Sequence, residues 1–263
     1  MAKKVKLFVG LDLGLNKSAL CVLDADGETV LERVLASEPG AIMPVLAKLD
    51  GKVELVGMEA CPLSEWLHGA IAEAGYQAFV LETRHTHRFL STRPNKTDRN
   101  DAHGIASMMR LGHFEPVHVK SAESQMVRAL LAGRRQFSSA MLQIENTIRG
   151  LIRIKGLKLG KVHRNDYSAK VRMLCEREPQ LLAAVEPLLD ARDEMRKQRK
   201  RLGNTLERAS RADPLTKRFR TIPGVGPLTA LCFEATIDDP SVHVRQRRMV
   251  LRAVRTLTPR WTA

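Results

Sequence analysis

The chain has 263 residues, of which 44% are hydrophobic and only 4% aromatic, and its formal net charge is +14. Its four cysteines (Cys21, Cys61, Cys175, Cys232) form no CxxC pair, which argues against a zinc site or a disulfide framework, and no apolar run has the length of a signal peptide or a membrane span. The expectation is a soluble cytoplasmic protein with no membrane partner, long enough for one large domain or two ordinary ones.

In chain order, "KLFVGLDLG" (Lys6–Gly14) is an apolar run of strand formers. In "KSALCVLDADGETVLERVLA" the pair Asp26-Gly27 marks a hairpin turn between two further strands. "VELVGMEA" (Val53–Ala60) predicts a fourth strand and "QAFVLE" a fifth. Between them "LSEWLHGAIAEAGY" reads as a helix stopped by Gly75, with Trp66 in its core face. "NKTDRNDAHGIA" (Asn95–Ala106) then leads into a helix. Three meandering strands followed by strand–helix–strand and a further helix is the order of a ribonuclease H-type fold. Cys21 and Cys61 are expected as small buried apolar residues, and His85 and His87 as surface or core histidines rather than ligands.

From Ser121 to about Arg211 the period becomes helical. Phe137, Met141, Ile144, Ile148 and Leu151 step by four and three, a coiled-coil-like seam. A second seam runs through Leu181, Val185, Leu188, Met195, Leu202 and Leu206, interrupted by Arg192 and Arg199, and Lys155–Asp166 between the two is expected as a loop. The two helices predict an antiparallel hairpin with basic outer faces. Residues 1–120 carry 14 Lys+Arg against 15 Asp+Glu, whereas residues 121–220 carry 23 against 11, so nearly all the excess lies there. A net of +12 concentrated in this way exceeds what solubility needs and marks a polyanion-binding surface, to which Arg196, Lys197, Arg199, Lys200 and Arg201 contribute most densely. "PGVG" (Pro223–Gly226) has two readings, a plain tight turn or a hairpin whose Gly224 and Gly226 bring backbone N–H groups to nucleic-acid phosphates.

The acids stand out against this charge. Asp12 and Glu59 lie at the ends of the first and fourth strands, which are sheet neighbours in a ribonuclease H order. Asp98 and Asp101 are three apart on a helix able to pack across that edge. Paired helical acids are most often simply solvated. Four converging carboxylates, however, suit a hard divalent cation such as Mg²⁺ or Mn²⁺, and two such ions can clamp the attacking and leaving oxygens of a phosphodiester.

"FVGLDLGLNKSALCVLD", "VGMEACP", "NKTDRNDAHGIA" and "TIPGVGPLTA", in this order over nearly the whole chain, resemble the IS-one-ten family of insertion-sequence transposases, the DEDD transposases. The resemblance implies a RuvC-like domain over residues 1–120 with Asp12, Glu59, Asp98 and Asp101 as its catalytic, metal-binding tetrad. It further implies a basic helical coiled-coil segment over 121–212 and part of a C-terminal transposase domain over 213–263. DNA, a structured guide RNA and further copies of the chain as a dimer or tetramer are the implied partners, in a bacterial cytoplasm at the nucleoid. The family's C-terminal domain also supplies a nucleophilic serine. Here "LTPR" is kept but no Ser-Gly motif follows, and Ser241 in "DDPS" reads as a helix start. The expectation is therefore a chain truncated before that serine, able to bind metal and nucleic acid but not to exchange strands alone. Two other classes compete: a non-catalytic nucleic-acid-binding remnant, and an actin-like ATPase or kinase, which would need a second copy of the core.

Overall fold

The protein is described from a computed structural model, which covers residues 5–91 and 97–243. Asn95, Lys96 and the "LTPR" stretch lie outside the described residues. The chain divides into two compact units, Met1–Val119 and Lys120–Ala263.

In the first unit, β1 (Lys6–Leu13), β2 (Lys17–Leu23) and β3 (Thr29–Ala36) form an antiparallel meander. The turn between β2 and β3 is tied by the Asp24 carboxylate, which accepts the N–H groups of Asp26, Gly27 and Glu28 at 3.0, 2.9 and 2.9 Å. Gly27 there has φ +96°, a backbone conformation that disfavours a Cβ. Helix α1 (Pro39–Ala47) follows, then β4 (Lys52–Glu59), α2 (Ser64–Glu73), β5 (Ala78–Leu81), α3 (Thr83–Ser91) and α4 (Asp98–Leu111). β4 and β5 run parallel to β1, giving the order β3-β2-β1-β4-β5, the order of a ribonuclease H-type sheet. The unit is thus mixed α/β with substantial helix.

The period-2 alternation of the strands sorts residues between two faces. On one face Leu7, Val9, Leu11, Leu20, Val22, Val56 and Met58 pack against Ile42 and Leu46 of α1 and Leu67 and Ile71 of α2. On the other, Ala19, Cys21 and Leu23 pack against Ala102 and Ala106 of α4, while Phe8, Leu55 and Phe79 join Ile105, Met108 and Met109. Cys21 is buried, whereas Cys61 is only partly covered and its N–H is bonded to the Ser64 hydroxyl. Trp66 departs from expectation. It is 52% exposed, because the inward face of α2 is filled by Leu67 and Ile71.

The second unit contains α5 (Ala122–Arg153), α6 (Tyr167–Cys175), α7 (Pro179–Ala212), α8 (Pro214–Phe219), α9 (Pro227–Ile237) and the single turn α10 (Pro240–His243). Pairings advance along α7 as they retreat along α5: Glu145 meets Arg192, and Gly133 meets Leu202. The two long helices are therefore antiparallel. The short helix α6, hidden in sequence behind the loop that precedes it, supplies Tyr167, Val171 and Cys175 to the core that Ile148, Ile152, Val185 and Leu189 complete. Arg192 does interrupt the apolar seam, continuing the buried stripe of α7 as a polar centre. Only 1% exposed, it donates to Glu145 at 2.8 Å, to Asp193 at 2.8 Å and to the Arg164 carbonyl at 2.9 Å. Its guanidinium also stacks 4.5 Å from the Tyr167 ring centre. A buried charge is tolerable only when compensated this fully.

Helix and sheet of the first unit approach most tightly at Gly10 and Gly57, partners in the β1–β4 register. A Cβ on Gly10 would collide with the Ala102 carbonyl oxygen and the Ala106 nitrogen, both backbone. On Gly57 it would meet the flexible Met109 side chain at 2.6–2.7 Å, and on Gly69, inside α2, nothing within 4 Å. Urea unfolding should rank the alanine variants accordingly. Gly69→Ala is expected to be more stable than wild type by about 0.5–1 kcal/mol, since alanine is the better helix former. Gly57→Ala is expected to be mildly destabilised, and Gly10→Ala to lose about 1–3 kcal/mol by overpacking against backbone. A Gly10→Ala variant as stable as Gly69→Ala would show that α4 does not rest on this position.

Candidate functional site

The same alternation fixes where two of the acids point. Gly10 faces α4, so Asp12, two residues on, faces it too; Gly57 faces α4, and so does Glu59. Leu11 pairs with Met58, so Asp12 and Glu59 come next in register at the ends of neighbouring parallel strands. Both are partly buried. The approach of Gly57 to Met109 and of Gly10 to Ala102 and Ala106 orients α4 across the sheet. Its C-terminal end lies by the β2–β3 turn, where the Arg110 side chain covers Gly27 and donates to the Ala25 carbonyl at 3.3 Å. That turn follows the β2 residue paired with Phe8, near the start of β1. The N-terminal turn of α4 therefore lies toward the other end, where β1 and β4 finish.

That turn is well made. Thr97 is its N-cap, with a hydroxyl accepting the Asn100 N–H at 3.2 Å, and Asp98 and Asp101 are the acids of the first turn. Asp98 is one turn before Ala102, in the row that reaches Gly10, and Asp101 is one turn before Ile105, in the row that reaches Gly57. Asp98 is exposed and Asp101 partly buried. The positive end of the helix dipole by itself favours acids at these positions, so part of their role is to stabilise α4.

The backbone thus sets two strand-end acids and two helix-start acids toward one edge of one sheet. The donors are all carboxylate oxygens, which in kind suit a hard divalent cation better than a thiophilic metal. Among the described residues, no group of three or more His, Cys, Asp and Glu side chains is assembled so as to hold a metal ion. The His85 ring packs 5.0 Å from that of His113.

In the second unit the five basic residues singled out on α7 differ in surroundings. Lys200 and Arg201 are exposed. Lys197 forms a solvated pair with Glu194 at 3.3 Å, and Arg196 donates to the Asn165 side-chain oxygen at 2.5 Å. Arg199 is partly buried, with an Nε that is sealed from solvent and has no hydrogen-bond partner among the described residues. Gly224 has φ +83° in the turn between α8 and α9, while Gly226 is the N-cap of α9 with ordinary φ −84°. Only Gly224 therefore needs glycine for its backbone. Ser241 donates to the Asp239 carboxylate at 2.9 Å while its N–H donates to the other oxygen at 2.8 Å, a local arrangement at the start of α10.

Two residues that position the site escape a search for acids alone, namely Gly10 and Gly57. Their signal is present in the sequence, because each stands two residues before a strand-end acid, in "GLD" and "GME".

Residues 9–155, more than half of the chain, match the family model of the IS110-type DEDD proteins, described as a transposase. Over 262 residues, 98% of the chain, it is 28% identical to the transposase for insertion sequence element IS1111A of Coxiella burnetii, spanning 70% of that protein. It is 27% identical over 191 residues to a probable family 20 transposase of Pseudomonas aeruginosa, covering 70% of this chain and 56% of the relative. Among solved structures, that of Thermus thermophilus RuvC aligns with a TM-score of 0.31 at 16% identity, over 42% of this chain and 99% of that one. Among the described residues, no helix is long and apolar enough to cross a membrane. The chain belongs to the IS110-type family of DEDD transposases.

Proposed function

We propose that this chain performs metal-dependent cleavage of DNA strands for an insertion sequence, with Asp12, Glu59, Asp98 and Asp101 as its catalytic carboxylates. The observation that carries this reading is the placement of the strand-end acids on the α4 side of the sheet, at the edge where the acidic first turn of α4 begins. A solvated helix face would explain Asp98 and Asp101 but not Asp12 and Glu59, which are partly covered on neighbouring strands. Mg²⁺ or Mn²⁺ held by these oxygens would supply charge neutralisation at the scissile phosphate and at the leaving oxygen. The carboxylates of Asp12 and Glu59 hold that charge from the rigid sheet, and those of Asp98 and Asp101 from a helix seated on it. Ser241 is engaged at a helix start, so the reading rests on the carboxylates and assigns no serine.

The partners in this reading are DNA and a structured RNA that guides it, with the chain acting as a dimer or tetramer. The +12 concentrated in residues 121–220 supports a polyanion partner, since each neutralised phosphate releases counterions.

Two experiments test these assignments. Asp12→Asn, Glu59→Gln, Asp98→Asn and Asp101→Asn should each weaken Mn²⁺ binding in calorimetry. Each should also slow Mg²⁺-dependent cleavage of the element's end sequences by about a hundredfold or more, as is common when a charge-stabilising group is removed. Circular dichroism should stay that of wild type. Undiminished metal affinity and cleavage in Asp12→Asn and Glu59→Gln would refute the site. Separately, replacing Arg196, Lys197, Arg199, Lys200 and Arg201 together by glutamine should weaken nucleic-acid binding. The log–log salt slope should flatten by about 2–4, at roughly 0.7–0.9 for each phosphate that is no longer neutralised. A slope unmoved by all five changes would place the binding surface elsewhere.

A further inference from the structure

We propose that Arg134 of α5 and Arg199 of α7, with Arg164 and Arg196 beside them, form a specific pocket for a nucleic-acid phosphate group. This inference rests on the reading that residues 121–220 bind nucleic acid, and it names where one phosphate is held.

Four observations converge on it. The Nε atoms of Arg134 and Arg199 are both sealed from solvent, and neither has a hydrogen-bond partner among the described residues. The helices are brought close at this point by a glycine on each. Gly133 lies against Leu202, and the space above Gly203 is taken by the Arg134 Nε, 3.7 Å from where a Cβ would sit. Arg199 is one turn before Gly203 on the same face of α7, so both guanidinium groups belong to one seam. The charges that act on Arg199 are positive. Its burial, followed by the charges of Arg134, Arg164, Arg196 and Arg192, pushes its pKa below the usual arginine value.

Arg192, two turns earlier on the same helix, provides the internal control. It is more deeply buried, yet two carboxylates, a backbone carbonyl and an aromatic face compensate it. The fold can neutralise a buried arginine from within and does so at Arg192. At Arg199, by contrast, neither its own Nε–H nor that of Arg134, whose charge acts on it, has an acceptor among the described residues. Guanidinium N–H donors pair with phosphate as readily as with carboxylate, and the excess positive charge around them favours the more highly charged anion. The surrounding net charge of +12 favours a polyanion as its source. The donors are common to DNA and RNA recognition, so phosphate is the shared chemistry.

The test uses the full chain and inorganic phosphate as the probe. Thermal melts are recorded in phosphate and in chloride at matched ionic strength for wild type, Arg134→Gln/Arg199→Gln, Arg199→Lys and the exposed control Arg177→Gln. Phosphate should raise the midpoint of wild type and of Arg177→Gln, raise that of Arg199→Lys less, and leave the double variant unchanged. Without phosphate the double variant should melt at or above the wild-type midpoint, because unpaired buried charge has been removed. Fluorescence anisotropy with a DNA duplex and an RNA stem-loop of equal length then separates the two sources. At least one should bind the double variant about tenfold or more weakly, as loss of charge-assisted hydrogen bonds predicts. Equal phosphate responses in wild type and double variant would overturn the pocket. So would a concentration-dependent dimer that disappears in the double variant and is indifferent to phosphate, which would make the occupant a carboxylate of a second copy. Either failure leaves the metal-binding test of Asp12 and Glu59 untouched, so the two proposals fail separately.

Discussion

Backbone meets backbone where α4 crosses β1. Gly10 offers no side chain, and the Ala102 carbonyl and Ala106 nitrogen occupy the space a Cβ would need. Such an approach fixes the height and position of the helix over the sheet more tightly than any pair of flexible side chains could. Much of the first unit follows from it. Small residues must face it from both sides, and Ala19, Cys21, Ala102 and Ala106 do. Larger apolar residues (Ile105, Met108, Met109) take over where the helix reaches β4 and β5, over Phe8, Leu55 and Phe79. Because the strand alternation is rigid, an acid two residues beyond each glycine is held on the same side as the helix. The seat that packs the helix therefore also sets the direction of Asp12 and Glu59.

The second unit handles charge rather than close packing. Its core holds a buried guanidinium in full compensation at Arg192, joining α5, α6 and α7 through Glu145, Tyr167, Ser168 and Asp193. Two turns along α7, the Nε of Arg199 has no partner among the described residues, and the charges that act on it are those of other arginines. A helix pair built only for stability would place an acid or an apolar residue there, since an uncompensated buried charge is costly. Under the proposed nucleic-acid-binding role, such a cost in the free state is offset by what is gained on binding.

The strands and the three-strand meander were legible because alternation and turn signals are local: Asp26-Gly27 sits in the observed turn, although Asp24 ties it. The two long helices were legible from their seams. Helices α1, α3 and α6 were not, because each is short and sits next to stronger signals. Trp66 was misplaced because an aromatic side chain suggests burial, while the inward face of α2 is decided by which residues the sheet can reach. Arg192 is visible in the sequence as a break in an apolar seam, but its burial is not, because its partners Glu145 and Tyr167 are far away in sequence. For the acids, residue type and order were visible in the sequence. What positions them was not, since the two seating glycines make sense only once a helix is known to lie across them.

The central claim is that this seat turns four acids toward one cation-binding edge. A crystal structure of the chain grown with Mn²⁺, with anomalous scattering used to locate the ions, tests it most directly. The account predicts anomalous density at the edge where β1 and β4 end, with oxygens of Asp12 or Glu59 and of Asp98 or Asp101 as ligands at about 2.1 Å. Manganese bound elsewhere, or bound by the α4 acids with both strand-end acids turned away, would contradict it.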